Sequence, residues 1–406
     1  MILTNCSVFD GVSDVIKDGG HLFIENGVIR DISFEPFRKG EQQIIDLKGR
    51  FVMPGLIDAH FHAYGADINI NHIDQMVPSL RALYARRNLE DALMRGFTTV
   101  RDAAGADIGL VMGVERGLIS GPRIFHSGLA ISQTGGHGDM RAPALHVACS
   151  CDYSGSLSVV ADGVDMVRSA AREQLRRGAT QIKLFVSGGV LSPSDPLWMN
   201  QFTDEEIAAA VHEAESRRTY VMAHAHTSEA VMRCLRNGVR SIEHATILDA
   251  ATASAIAERG AFAVPTLAII YAVKESAATL GLSPVMISKM HEVEQYALTS
   301  LDRLRSAGAQ IGFGSDLLGS TMHLQSREFV LRSEVCKPIE ILRSATSVNA
   351  ALLNMSGKLG TITPGAYADL IAIDGDPTLD ISVLEQHARI TFILKSGSIY
   401  KNTLEG

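Results

Sequence analysis

Pro54-Gly55-Leu56-Ile57-Asp58-Ala59-His60-Phe61-His62 is an apolar run that ends in two histidines spaced two apart. Alternate residues of an extended strand share a face, so this spacing points both imidazoles the same way. The run is too short for a helix and reads as a buried strand, Gly55–Ala59, delivering His60 and His62 at its end. Similar runs recur downstream at Phe97–Arg101, Arg123–Ser127, Thr180–Phe185, Thr219–His224, Arg240–His244, Ala261–Pro265 and Gln310–Asp316. Helical patterns such as Gly163–Arg177 and Asp204–Arg217 lie between them. Thr203 with Glu206 three residues on predicts a capping box at the second helix. Strands alternating with helices predict an α/β fold with a parallel sheet, and eight is the number that closes into a (β/α)8 TIM barrel. A doubly wound open sheet is the alternative, but no G-x-G-x-x-G follows the first strand.

Outside residues 54–357 the pattern changes. His21–Gly27 and Val28–Ser33 are alternating runs joined through Asn26-Gly27, a hairpin signal. Ala368–Asp374 reads as a strand, and Ile390–Lys395 turns at Ser396-Gly397 into Ser398–Lys401. Chain ends often lie close together, so residues 1–53 and 358–406 are expected to share one small β domain. No internal repeat stands out.

Of 406 residues, 46% are hydrophobic and 20% charged, which suits a large globular core. The net charge of −8 and the lack of a Lys/Arg run argue against a nucleic-acid or anionic-membrane partner. The N-terminus shows no basic and apolar signal pattern, and no stretch nears the roughly 18 apolar residues of a membrane span. Five scattered cysteines read as reduced, which with the missing signal predicts a cytoplasmic protein. Cys149 and Cys151 form a CxC pair, either a metal or redox site or a loop with two free thiols.

In a TIM barrel the active site gathers at the C-terminal ends of the strands. His60 and His62 end the first predicted strand, His224 the fifth, His244 the sixth and Asp316 the eighth, while the fourth carries Lys183. Imidazoles with a carboxylate are the ligand set of zinc and similar ions. An unmodified ammonium on an apolar strand is costly to bury. Lys183 therefore lowers its pKa, pairs with an acid, snorkels to the rim, or is converted by CO2 to an anionic carbamate able to bridge two metal ions. His137, in a Gly-rich loop after the third strand, is a candidate donor to a carbonyl oxygen, with a structural loop role as the alternative. Arg141 is a candidate partner for a substrate carboxylate. The segment from Gln133 to Gly163 exceeds an ordinary strand–helix loop and is expected to cover the site or to form an oligomer contact.

Several motifs make a family resemblance specific over nearly the whole chain. They are Val52-Met53-Pro54-Gly55-Leu56-Ile57-Asp58-Ala59-His60-Phe61-His62, Gly96-Phe97-Thr98-Thr99-Val100-Arg101-Asp102, Ser132-Gln133-Thr134-Gly135-Gly136-His137-Gly138-Asp139, Gly312-Phe313-Gly314-Ser315-Asp316 and Gly360-Thr361-Ile362-Thr363-Pro364-Gly365-Ala366-Tyr367-Ala368-Asp369-Leu370. The chain resembles the amidohydrolase superfamily, in the branch of imidazolonepropionase-like proteins and metal-dependent prolidases. The resemblance implies two divalent metal ions, with zinc expected. His60 and His62 would hold the more buried ion and His224 and His244 the outer one. Carboxylated Lys183 would bridge them, and Asp316 would bind the buried ion and shuttle the proton. It also implies that the two chain ends form a small β-sandwich. Prolidase-like members often carry a tyrosine two residues after the strand-five histidine, where this chain has His226. That departure bears on the substrate pocket, which His226, His137 and Arg141 are expected to line.

The function expected is hydrolysis of an amide in a small molecule: a dipeptide of Xaa-Pro or another type, an N-acyl amino acid, or an ochratoxin-like amide. A homo-oligomer is expected. A mononuclear deaminase or cyclic-amide hydrolase is the second reading, resting on the HxxE spacing of His226 and Glu229. A catalytically dead structural protein of the same fold is the third.

Overall fold

The hairpin signals at the two chain ends are realised at their expected turns. Asn26 and Gly27 both take positive φ, as do Ser396 and Gly397, the twist that two-residue hairpins need. The two turns abut: a Cβ on Gly397 would stand 2.9 Å from Gly27 Cα, so the contact admits no side chain on either glycine. The computed structural model describes residues 1–37, 40–141, 155–192, 195–276 and 281–404. In it the two ends share one seven-stranded sheet, in the order Ser398–Asn402, Ile390–Lys395, Leu370–Ile373, Ile44–Pro54, Ile2–Val8, Lys17–Glu25, Val28–Ser33. Its buried residues form their own apolar cluster, with Leu3, Leu22, Ile29, Leu370 and Leu394 all at most 1% exposed.

The named strands of the central part pair in parallel. Leu56–Phe61, Phe97–Asp102 and Arg123–His126 make a three-stranded sheet. A seven-stranded sheet runs in the order Gln310–Ile311, Phe262–Val264, Ser241–Ile247, Val221–Thr227, Ile182–Phe185, Ala130–Ser132, Ser158–Val160. Backbone hydrogen bonds tie the two sheets at both flanks. Thr180 N donates to His126 O at 2.8 Å, Ala59 N to Phe313 O at 2.8 Å, and Asp316 N to His60 O at 2.8 Å. Helices fill the connections. Asp204–Ser216 starts at the predicted capping box, with Thr203 N donating to Glu206 Oε2 at 2.6 Å. Ile207, Ala210, Val211 and Ala214 form its buried stripe.

All eight expected strands exist, but several differ in extent. The fifth continues past His224 to Thr227 and the sixth past His244 to Ile247, their pairing resuming after an irregularity between Ala225 and Thr227. The eighth is regular only over Gln310–Ile311; Asp316 lies in the left-handed region at φ 57°, which breaks extended pairing. The third ends at His126, and two short strands, Ala130–Ser132 and Ser158–Val160, follow in a stretch that reads as loop. Residues 142–154, with Cys149 and Cys151, lie outside the described residues. Cys6, Cys234 and Cys336 are free thiols. Among the described residues no helix is long and apolar enough to cross a membrane.

Candidate metal centre and active site

The two-residue spacing of His60 and His62 is anchored from behind by Asp58, which is fully buried. Its carboxylate accepts from His60 N at 3.0 Å, Ser315 Oγ at 2.5 Å and Gln325 Nε2 at 2.8 Å. One side chain thus fixes both the HxH strand end and the segment that carries Asp316. Asp316 Oδ1 stands 2.9 Å from His62 Nε2 and 3.3 Å from His60 Nε2. Burial would raise the Asp316 carboxyl, but His60 and His62 hold it well below the usual carboxylate range.

The other ring nitrogens explain why both Nε2 atoms converge. His60 Nδ1 lies 2.7 Å from Glu243 Oε2, and His62 Nδ1 3.3 Å from Ala104 O. If each Nδ1 carries the donated proton, the two Nε2 lone pairs face a carboxylate oxygen, and only a proton or a metal ion reconciles three acceptors at that distance. The donor set therefore fits a cation. His60, His62 and Asp316 have ligand atoms within 4.8 Å of one another, the one such group among the described residues.

Lys183, His224 and His244 stand in the same cavity. The His224 and His244 ring centroids are 4.4 Å apart, and those of His60 and His244 5.1 Å. Burial, followed by the crowding of neighbouring imidazoles, keeps both His224 and His244 well below the usual histidine range, so both offer neutral lone pairs. Lys183 is 2% exposed, and among the described residues its Nζ has no hydrogen-bond acceptor. Burial pulls its amine down to about 8, so a reactive neutral fraction exists near physiological pH. Of the alternatives for this lysine, snorkelling to the rim does not occur. His244, Thr266 and Asp316 all take left-handed φ, 72°, 49° and 57°. Each such residue costs roughly 1–3 kcal/mol, the kind of strain that clusters where side chains must be aimed.

His137 also faces the cavity. Its Nδ1 lies 2.7 Å from Ser192 Oγ and 3.1 Å from Asp195 Oδ2, and its ring stacks on His224 with centroids 4.5 Å apart. A Cβ on Gly189 would come within 2.3 Å of that ring, so only glycine allows this approach. Lys289 fastens the loop that carries Ser192 and Asp195. Its Nζ donates to Gly189 O, Ser192 O and Asp195 O at 2.6, 2.6 and 2.8 Å. His226 lines the cavity too, with Nδ1 3.1 Å from Thr246 Oγ1. Burial, with His137 second, pushes its ring down to about 3. Arg141 is not brought to the cavity lining; its Nε and Nη2 donate to the Asp139 carboxylate, each at 2.6 Å. Glu229 is exposed on the helix Ser228–Arg236, so the HxxE spacing sends no carboxylate inward.

Sequence reasoning missed the layer beneath the ligands. Glu243, fully buried, accepts from His60, from Ser241 Oγ at 2.6 Å and from Arg101 Nη2, which reaches Oε1 and Oε2 at 2.9 and 3.0 Å. Burial would raise Glu243, but Arg101 brings it down to about 2. Arg101 Nε donates to Ala59 O at 2.6 Å, next to His60. The available signal was the one used for Lys183: a charged residue inside an apolar strand.

A family model matches residues 51–406, and its description is the amidohydrolase family. This chain belongs to the amidohydrolase family. It is a hydrolase, and members of its family generally use a divalent metal ion. The Aspergillus niger ochratoxinase is 31% identical over 363 residues, covering 86% of this chain and 75% of that protein. A crystal structure of a prolidase complexed with N-methylphosphonate-L-proline is 44% identical, covers 99% of both chains and superposes with a TM-score of 0.96. A Xaa-Pro dipeptidase with bound methionine is 30% identical over 99% of both chains, with a TM-score of 0.90. The amidohydrolase relatives support a hydrolase acting on amide bonds.

Proposed function

We propose that this chain is a binuclear metal-dependent amidohydrolase that cleaves the amide bond of a small molecule, such as a dipeptide, an N-acyl amino acid or a related amide. The observation that carries the reading is the convergence of His60, His62, Lys183, His224, His244 and Asp316 on one cavity from strands far apart in sequence. The parallel sheets, tied at both flanks, are read as a closed (β/α)8 barrel over residues 54–357. Residues 1–53 and 358–406 are read as the small β-sandwich domain, supported by their shared sheet and separate apolar cluster.

His60, His62 and Asp316 would hold one ion, His224 and His244 a second, with Lys183 as a carbamate between them and zinc as the expected metal. When bound, the ions supply a nucleophilic water near neutral pH and polarise the scissile carbonyl. Asp316 accepts the proton of the attacking water at its carboxylate and delivers it to the leaving nitrogen, general acid–base work by one positioned group. His137, clamped between Gly189 and His224, donates from Nε2 to the developing oxyanion, with Ser192 and Asp195 beside Nδ1 fixing the ring's orientation. His226 lines the substrate side without binding metal.

The test is the metal-loaded protein against a panel of dipeptides and N-acyl amino acids, with ions counted per chain and the intact mass read for a carbamate on Lys183. Amide cleavage with two ions per chain is expected. One ion per chain, or an unmodified Lys183 in a fully active protein, breaks the binuclear reading.

A further inference from the structure

Gly189, Ser192 and Asp195 follow one another at intervals of three after the strand Ile182–Phe185, and all three are buried. Each faces two ways. On one side their backbone carbonyls converge on Lys289 Nζ, at 2.6, 2.6 and 2.8 Å. On the other side the same three residues touch His137. Ser192 Oγ lies 2.7 Å and Asp195 Oδ2 3.1 Å from its Nδ1, and a Cβ on Gly189 would come within 2.3 Å of its ring. With Nδ1 engaged, Nε2 is the ring nitrogen left to meet a substrate, and the ring lines the cavity.

Lys289 is 7% exposed, and its ammonium has three donors for these three carbonyls. A neutral side chain in its place would leave the carbonyls buried without a donor, which the loop could relieve only by changing shape. A staple whose one task was to join helix to loop could grip the loop anywhere. This one grips it at the three residues that touch His137. Lys289 does not itself line the cavity. Its helix, Pro284–Ser306, does so through Met290 and Val293. With Ile269, Ile270 and Val273 of Leu267–Ser276 and Leu191 of the loop, these form an apolar wall of the cavity.

We propose that Lys289 is a positioning residue for the reaction, acting through Gly189, Ser192 and Asp195 to set where His137 Nε2 stands against the scissile carbonyl. This rests on the amide-hydrolase reading and deepens it. A donor to an oxyanion works only at the geometry of the transition state, and a misplacement of about 1 Å can cost about 10²-fold in rate. Substrate binding, which does not use that geometry, is largely kept, so the loss falls on kcat.

The experiment is a double-mutant cycle in the metal-loaded protein, with Lys289→Met, His137→Ala and the two combined, counting ions per chain for each. Lys289→Met is expected to lower kcat by about tenfold or more with ions per chain unchanged, and to add less than about threefold once His137 is alanine. An unchanged kcat, losses that multiply in the double variant, or loss of metal in step with kcat overturns the inference. Should Lys289→Met not fold, Lys289→Ala refolded with n-propylammonium restores the missing chain and charge. A saturable return of kcat that propan-1-ol does not give is expected, and no return overturns the inference. Histidine ring NMR, with the His137 signal assigned by its absence from His137→Ala, reads placement without turnover. That signal should shift in Lys289→Met, and an unmoved signal overturns the inference while leaving the amide-hydrolase reading standing. Failure of the fully metal-loaded wild type to cleave any amide overturns that reading instead, and the ring signal still decides whether Lys289 places His137.

Discussion

The central parallel strands and the terminal sheet bury their residues in opposite ways. Val221–Thr227 and Ser241–Ile247 are buried at six of seven positions, on both faces, so Glu243 goes inside with the rest. Ile182–Phe185 does the same with Lys183. In the terminal sheet, Lys17–Glu25 buries Gly20, Leu22 and Ile24 and leaves the intervening residues more exposed. Its cluster is apolar, built from residues such as Leu3, Leu22 and Leu394. The contrast extends to the backbone. The left-handed residues His244, Thr266 and Asp316 belong to the catalytic end, whereas the terminal sheet has positive φ in its hairpin turns and at Asn5 and Lys48, where its strands are irregular. The terminal region also buries charge, at Asp369 and Lys395, but each meets a backbone partner there, Ser396 N and Gly121 O, whereas the charges of the central strands converge on one cavity.

That contrast can be broken by substitutions on its two sides. The largest effect is expected at Lys183→Ala, which should lose metal and turnover together while circular dichroism and melting stay close to wild type. Restoration of both by a short carboxylate such as acetate would sharpen the carbamate role. A fully metallated, active variant would break it. Asp316→Asn comes next. It keeps the shape but cannot accept the proton, and kcat should fall by about 10²–10⁴-fold with the fold intact. Retention of most of kcat would remove Asp316 as the proton carrier.

On the scaffold side the sign of the comparison reverses. Leu394→Ala removes a fully buried side chain of the terminal cluster and should destabilise the protein by about 2–5 kcal/mol. Denaturant melting reads this loss, and kcat of the folded fraction should be unchanged. A parallel fall in kcat would show that the two regions are coupled. The smallest effect is expected at Thr203→Ala, which removes one half of the capping box and should cost about 1 kcal/mol with no change in metal content.

The sequence showed this contrast unevenly. The hairpins at Asn26-Gly27 and Ser396-Gly397 and the cap at Thr203 were legible because each depends on neighbours within a few residues. The HxH spacing and the strands that carry His224 and His244 were legible because strand parity and apolar runs act over one element, although both histidines lie inside their strands rather than at the ends. The breaks after His126 and at Asp316 were not, since left-handed turns and strands of two or three residues leave almost no periodic trace. Arg141 shows the opposite failure: its type and place suggested a substrate contact, and Asp139 two residues back holds it.

What the chain determined by itself is therefore local: which runs are apolar, where helices begin, which residues end strands and which charges sit in strands unable to solvate them. The tertiary structure alone decided what those charges meet. His60 finds Glu243 across 183 residues, Arg101 finds Glu243 across 142, and Lys289 reaches the loop that holds His137 from up to 100 residues away. The apolar wall facing the ligands is likewise assembled from two helices and a loop. The physical reason is that periodicity and capping are set by the nearest few residues, whereas the partner of a buried charge is set by how the sheets and helices pack.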